Sequence, residues 1–269
     1  MKILAIVVTY YPEKELLEKN ISAFIDHVDK VLIWENTPEQ EKLNYRFIEH
    51  EKVEYHGDGI NSISHGLNYG WQYAKKYGYD YLLTMDQDSV FENFYFYLQQ
   101  TIFNLDAPQG IWGPNAYNFA YAGFRQNEKM FTSGMLIKTV LLNELGGWNE
   151  LFAIDCVDDE LCLKAGRKGI RKYILGDAKL VHRLGNPNIV TFRGHKITLR
   201  NDSPSRLYSI YKSHVLMCRL YPEDKSYRAE SKSFWGKNVI YIVMFEKNRI
   251  QKLLAIFRGI LSSMFTKIV

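Results

Sequence analysis

The sequence predicts an α/β domain with a mostly parallel central sheet flanked by helices, followed by a C-terminal helical appendage. Three observations carry that prediction. Short apolar runs of strand length alternate with helical apolar stripes through the first half of the 269 residues, the pattern of a sheet covered on both faces. Several of those runs end abruptly in polar or acidic residues, as strands do where a ligand crevice opens. Beyond residue 250, apolar side chains recur every three or four positions, the period of a helix face. With 46% hydrophobic residues the chain is too apolar to be disordered and long enough for one large core plus an appendage.

Ile3 to Val8 is the first strand, and Leu16, Leu17, Asn20, Ile21, Phe24 and Ile25 mark the buried face of the helix after it. The opening run is not read as an export signal, because Tyr10, Tyr11, Pro12 and Glu13 stand where a signal peptide needs small residues. Val31 to Trp34 is the second strand, ending in "ENTP", and Val53 to Tyr55 is the third. The segment "GDGINSISHGLNYGWQYAKKYG" opens with glycines and runs into a helix carrying Ile63, Leu67, Trp71 and Ala74. Asp80 to Met85 is the fourth strand. In open sheets of this kind ligands bind outside the carboxyl ends of the strands, which is where Thr9, Glu35, Asn36, Asp58 and the Asp86/Asp88 pair fall.

That pair lies in "YDYLLTMDQDSV". Two readings fit it taken alone: a solvated strand end with a turn-forming Asp-Ser pair, or two oxygen ligands one residue apart that grip a hard divalent cation, Mg²⁺ or Mn²⁺. His182, at the end of another strand in "AKLVHRLGN", is either structural or a third ligand or diphosphate contact. The second half adds "TSGMLIKTVLLNELGGWNELFAIDCVDDELCLKAGRKGIR". Small residues Thr132, Ser133 and Gly134 precede a strand, Met135 to Lys138. Thr139 suits an N-cap, and Gly146-Gly147 ends the helix. Asp155, Asp158, Asp159 and Glu160 sit just before the next helix, where acids complement the helix dipole, although four exceed what capping needs.

With these segments in hand, the chain resembles the family 2 glycosyltransferases, whose catalytic domain has the GT-A fold, and especially the rhamnosyltransferase-like bacterial members. "VVTYYP" is similar to their opening strand, "WENTP" to their second-strand nucleotide turn and "TMDQDSV" to their metal-binding Asp-x-Asp. The later block resembles their "GG-aromatic … Glu/Asp-Asp-x-Asp/Glu-Leu" segment. The resemblance implies a GT-A catalytic domain over residues 1–200, with 1–105 the nucleotide-binding half and 106–200 the acceptor side, and a basic amphipathic helical region over 201–269. It places the catalytic base at Asp158, with Val157 and Lys164 where relatives carry an acid and an Arg. Asp86, Asp88 and His182 are then the metal set, and Thr9, Glu35, Asn36 and Asp58 line the base and ribose pocket. Asn61 stands one place out of the family's Asn-x-Gly register, and Arg206, with Tyr208 and Lys212, resembles a basic helix near the phosphates or forms a solvated face.

The expected reaction is a single inverting displacement at the anomeric carbon of a nucleoside diphosphate sugar. Rhamnose from a dTDP donor is favoured by the resemblance, with UDP-linked hexoses as alternatives and a saccharide or lipid-linked saccharide of surface polysaccharide assembly as acceptor. "LLTMDQDSV" also fits the nucleophile motif of haloacid dehalogenase-type phosphatases. That family carries its motif on the first strand and needs a later Gly-Asp followed by another acid, which Gly176-Asp177 lacks. A non-catalytic nucleotide-sugar-binding protein would leave the acids at 155–160 without a role.

Charge and cysteine content bound the rest. Lys237 to Val269 holds six basic residues and one acid, so the preceding 236 residues sum to −1 against a net +4 for the chain, and no nucleic-acid footprint emerges. Cys156, Cys162 and Cys218 form no zinc-ligand spacing and an odd set, which suits a reducing, cytoplasmic compartment. The apolar stripe from Ile250 to Ile268 is interrupted by charge too often to span a bilayer. It either packs on protein, as a C-terminal helix or across a homodimer, or lies peripherally on the inner face of the cytoplasmic membrane.

Overall fold

The structure, a computed structural model, describes residues 1–182, 188–192 and 194–268, and the chain divides into two compact units, Met1–Arg183 and Leu184–Val269. The first unit opens with β1 (Ile3–Thr9), all seven residues of which are buried. Next come α1 (Lys14–Ser22), a 3-10 turn at Ile25–His27 and β2 (Lys30–Glu35). β3 (Val53–His56), α2 (Ile63–Tyr77) and β4 (Tyr81–Asp86) complete the nucleotide-type half. β1 pairs in parallel with β2 and β4, and β2 with β3. The spatial order is therefore β3-β2-β1-β4. The chain reverses its direction of growth between β1 and β4, and such a reversal leaves a crevice at the carboxyl ends of those two strands. Strands covered on both faces read as unbroken apolar runs, which is why "ILAIVV" lacks alternation.

α2 comes unusually close to this sheet because its inner face is made of small residues: Ser64, Gly66, Gly70 and Ala74 are buried with Leu67. A Cβ built on Gly66 would lie 2.5 Å from Trp34 Cδ1, and one on Gly70 would lie 2.9 Å from Ile6 Cβ. Gly66→Ala is expected to destabilise the protein by about 1–3 kcal/mol despite the better helix propensity of Ala, because the overpacked Trp34 ring has nowhere to go. Urea denaturation checks this, and an unchanged or raised midpoint would show that the helix can lift without penalty.

The unit continues through β5 (Val90–Phe91), α3 (Phe94–Thr101), β6 (Ile111–Asn115), β7 (Phe124–Gln126) and β8 (Met135–Lys138). It closes with α4 (Thr139–Leu145), α5 (Val157–Arg167) and β9 (Lys172–Val181). β8 lies antiparallel to β4 and β6, while β9 is parallel to β6 and antiparallel to β5 and β7. One sheet runs β3-β2-β1-β4-β8-β6-β9-β5 with β7 attached to β9, so the strands are mixed beyond β4. Phe24, Phe94, Tyr97 and Trp112 are among its largest buried side chains. Two local expectations change. Lys138 holds the N-cap of α4, and Thr139 is its first helical residue, with Oγ1 donating to Tyr79 O at 2.7 Å. The acids at 158–160 lie inside the first turn of α5, not ahead of it, since Cys156 turns the corner with φ 64°.

The second unit contains a hairpin of β10 (Asn188–Phe192) and β11 (His195–Leu199), then α6 (Pro204–Leu220), α7 (Lys225–Phe245) and α8 (Arg249–Phe265). Ser203 and Asp224 cap α6 and α7 by accepting from the N–H groups of Arg206 and Tyr227. Leu207, Ile210, Tyr211, Ile242 and Ile256 form its core. Among the described residues no helix is long and apolar enough to cross a membrane.

Candidate active site at the sheet switch point

Strand register brings the predicted pocket residues to one rim. Thr9 pairs with Glu35 across β1 and β2, Val8 pairs with Asp86 across β1 and β4, and the Asn36 N–H donates to Thr9 O at 2.8 Å. Thr9, Glu35 and Asn36 are all buried. Thr9 Oγ1 donates to Trp34 O, and Asn36 Oδ1 accepts from Trp34 Nε1 at 3.0 Å. The Glu35 carboxylate is already engaged by Arg46, whose Nη2 lies 3.0 Å from Oε2 while Nε spans both oxygens. Asn61 is exposed in the loop ahead of α2, where Ser62 provides the cap. Arg206 lies in the first turn of α6, in the second unit.

The 86–89 turn is tied down from three sides. Asn20 Nδ2, projecting from α1, donates to Asp86 O at 2.7 Å and also to Ser89 O. Asp86 N–H donates to Ser133 Oγ at 3.2 Å, and Gly134 N–H to Thr84 O at 2.7 Å. Gly134 itself has φ +79°, and a Cβ there would lie 2.5 Å from Pro114 Cγ, so the small residues of "TSG" let the second half of the sheet reach this rim. From the far side, β5 pairs Val90 with Val181, which sets His182 opposite Ser89, and the Ser89 hydroxyl lies 2.7 Å from His182 Nδ1. Asp86, Asp88 and His182 thereby offer one ligand atom each, all within 4.8 Å of one another. Asp86 keeps 31% of its side chain open at the bottom of the crevice. Burial first, and the Asp88 charge second, push its carboxyl up to about 7. Burial also lowers the His182 imidazole pKa, against the pull of Asp88, which keeps a ring nitrogen available as a ligand.

Asp158, in the first turn of α5, lies near enough to feel the charge of Asp86. Burial and the charge of Asp159, with that of Asp86 adding, push its carboxyl up to about 7. The Asp158 charge in turn helps burial raise the Tyr117 phenol. Tyr117 stacks on Phe131 at 4.5 Å and on Phe119 at 5.0 Å, Phe131 stacks on His182 at 5.1 Å, and Phe119 on Tyr121 at 5.6 Å. A continuous aromatic wall runs from the histidine outward. Sequence reasoning missed this wall and Arg46, which stand in no motif, and it took Ser89 only as half of a turn-forming pair and Asn20 only as part of a buried helix face. The short "YNFAY" alternation was the one available signal.

At the N-terminus of α2, His65 links two acids. Nε2 lies 2.8 Å from Asp58 Oδ2 and Nδ1 lies 2.9 Å from Glu150 Oε2. The Glu150 hydrogen bond chiefly, against burial and with Asp58 adding, raises the His65 pKa. A pKa raised on folding means that the contribution is complete below the unfolded value of about 6.5 and fades as pH rises through the folded one. The melting-temperature gap between wild type and His65→Gln is therefore expected to be largest in mildly acidic buffer and to shrink in alkaline buffer. A gap that ignores pH would show that His65 is held neutral.

No protein-family model matches the chain. It is 25% identical over 240 residues, 81% of this chain and 80% of the relative, to the dTDP-rhamnosyl transferase RfbF of Shigella flexneri. The structure is similar to GalNAc-T7 solved with UDP, GalNAc and Mn²⁺, at a TM-score of 0.61 and 11% identity over 84% of this chain. The chain spans about half of that protein, 49% of its length. It also matches the mannosyltransferase PcManGT of Pyrobaculum calidifontis, solved with GDP-Man and Mn²⁺, at a TM-score of 0.58 and 14% identity over 100% of this chain and 76% of the other. The class that this fold and crevice define is the nucleotide-sugar glycosyltransferases of the GT-A fold. Within that class its likeness in sequence is to a dTDP-rhamnosyl transferase.

Proposed function

We propose that the chain moves a sugar, rhamnose in the favoured case, from a dTDP- or UDP-linked donor to a saccharide or lipid-linked saccharide acceptor of surface polysaccharide assembly, with inversion and with Mg²⁺ or Mn²⁺. The observation that carries this reading is the convergence of Asp86, Asp88 and His182 within 4.8 Å at the crevice where β1 and β4 part. Two carboxylates beside an imidazole are a donor set suited to a small divalent cation. When bound, the ion supplies Lewis acidity to the departing diphosphate.

The chain's own groups do the rest. Thr9 and Asn36 present the rim against which the nucleotide lies, with Asp58 at its outer edge and the Glu35–Arg46 pair shaping its floor. Asp158 takes the proton from the acceptor hydroxyl. A carboxyl raised to about 7 is well matched to that task near neutral pH. Tyr117 and Phe119 form the apolar wall for the acceptor ring. One base and one stabilised leaving group suffice for direct displacement, hence inversion. The relative named as a dTDP-rhamnosyl transferase supports the donor, and the Mn²⁺ in two structural relatives supports the ion. Incubation with dTDP-rhamnose, UDP-hexoses and saccharide acceptors, followed by NMR of the new linkage, tests the proposal. Transfer with an inverted anomeric centre is expected. Retention, or no nucleoside diphosphate released from any donor, would overturn it.

A further inference from the structure

α8 packs through a mixed face and leaves its most apolar stripe unpacked. The residues it buries are Lys252, Ile256, Gly259 and Ser263. Lys252 Nζ lies 2.7 Å from Glu246 Oε2 and 3.0 Å from Asn201 Oδ1, so this lysine is a structural ion pair and not a lipid-facing cation. Gly259 lets α8 close on α6, since a Cβ there would lie 2.5 Å from Tyr208 O. Ile256 joins the unit's core, with Leu253 and Ile260 against it, but six large apolar side chains are left outside: Ile250, Leu254, Phe257, Leu261, Met264 and Phe265 are 42% to 79% exposed. At 3.6 residues per turn these six fall in a stripe roughly 100° wide. Arg258 borders it, Lys247 and Arg249 stand at its start and Lys267 at its end, all exposed, and residues 247–268 contain no acid.

We infer that this stripe docks on an anionic lipid surface, the helix lying in the plane of the interface with its apolar side chains in the headgroup boundary and its cations among lipid phosphates. The charge pattern selects that occupant over a second copy of the chain. A two-fold contact through the stripe would set the four cations of one α8 beside the four of the other with no acid on either helix to answer them. The inference stands on the second unit alone and does not depend on the donor or the acceptor.

Flotation of the full chain with vesicles of phosphatidylglycerol and phosphatidylcholine, or of phosphatidylcholine alone, tests it. Wild type is expected to float with the anionic vesicles at low salt and to be released as salt rises. Phe257→Asp with Leu261→Asp is expected to cut the bound fraction by about tenfold or more, with an unchanged circular-dichroism melt because both residues are exposed. Arg258→Glu with Lys267→Glu is expected to weaken binding to the anionic vesicles selectively. Wild type that ignores anionic vesicles, or a Phe257/Leu261 variant that binds as wild type does, would overturn the inference. So would a concentration-dependent dimer, abolished by the same pair of substitutions, in a chain that does not float.

Discussion

Asp158→Asn is expected to leave donor binding intact while sugar transfer falls by roughly 10²-fold or more. The amide has the size and the hydrogen-bonding reach of the carboxylate but cannot accept the acceptor's proton, so the loss falls on turnover and not on affinity. Surroundings that lift Asp158 to about 7 are burial and the acids Asp159 and Asp86. None of them moves when the side chain becomes neutral. Turnover measured at saturating donor, beside calorimetric donor affinity, separates the two effects. Near-normal turnover would move the base to Asp159 or Asp155.

Asp88→Ala is expected to abolish metal-dependent binding of nucleoside diphosphate. It removes one of the three ligand atoms, and Asp86 cannot replace it. Burial, the larger cause of the raised Asp86 pKa, persists in the variant, while the smaller contribution of the Asp88 charge is lost. Asp86→Ala is expected to weaken binding less, because Asp88 and His182 remain. Calorimetry in the presence of Mn²⁺ checks both, and unchanged binding by the Asp88 variant would remove this residue from the metal set.

The parts of this site that lie on long buried strands were legible before any coordinates. Apolar runs such as "ILAIVV" and "YLLTM" declare themselves as strands by length and by their polar ends, and strand order then places Thr9, Glu35, Asn36 and Asp86 at one crevice. His182 was legible as a strand-end residue, but its partner was not. The ladder that sets it against Ser89 belongs to a strand of two residues, Val90–Phe91, too short to carry any period. Arg46 was invisible for a related reason: ten residues, closed by a 3-10 turn at Lys42–Tyr45, separate it from Glu35, and such a connection has no period to read. The C-terminal stripe was fully legible as a helix face, but which face packs was not. Apolar periodicity alone assigns the apolar side to the interior, whereas Ile256 shares that place here with Gly259, Ser263 and the Lys252–Glu246 pair.

A divalent cation is expected to join the β1/β4 crevice to the diphosphate of a sugar donor. Anomalous scattering from crystals of the full chain grown with Mn²⁺ and dTDP tests it most directly. One strong peak is expected within ligand distance of Asp86, Asp88 and His182, bridged to the nucleotide's phosphates. A nucleotide bound with no Mn²⁺ at that triad, or Mn²⁺ bound elsewhere in the fold, would contradict it.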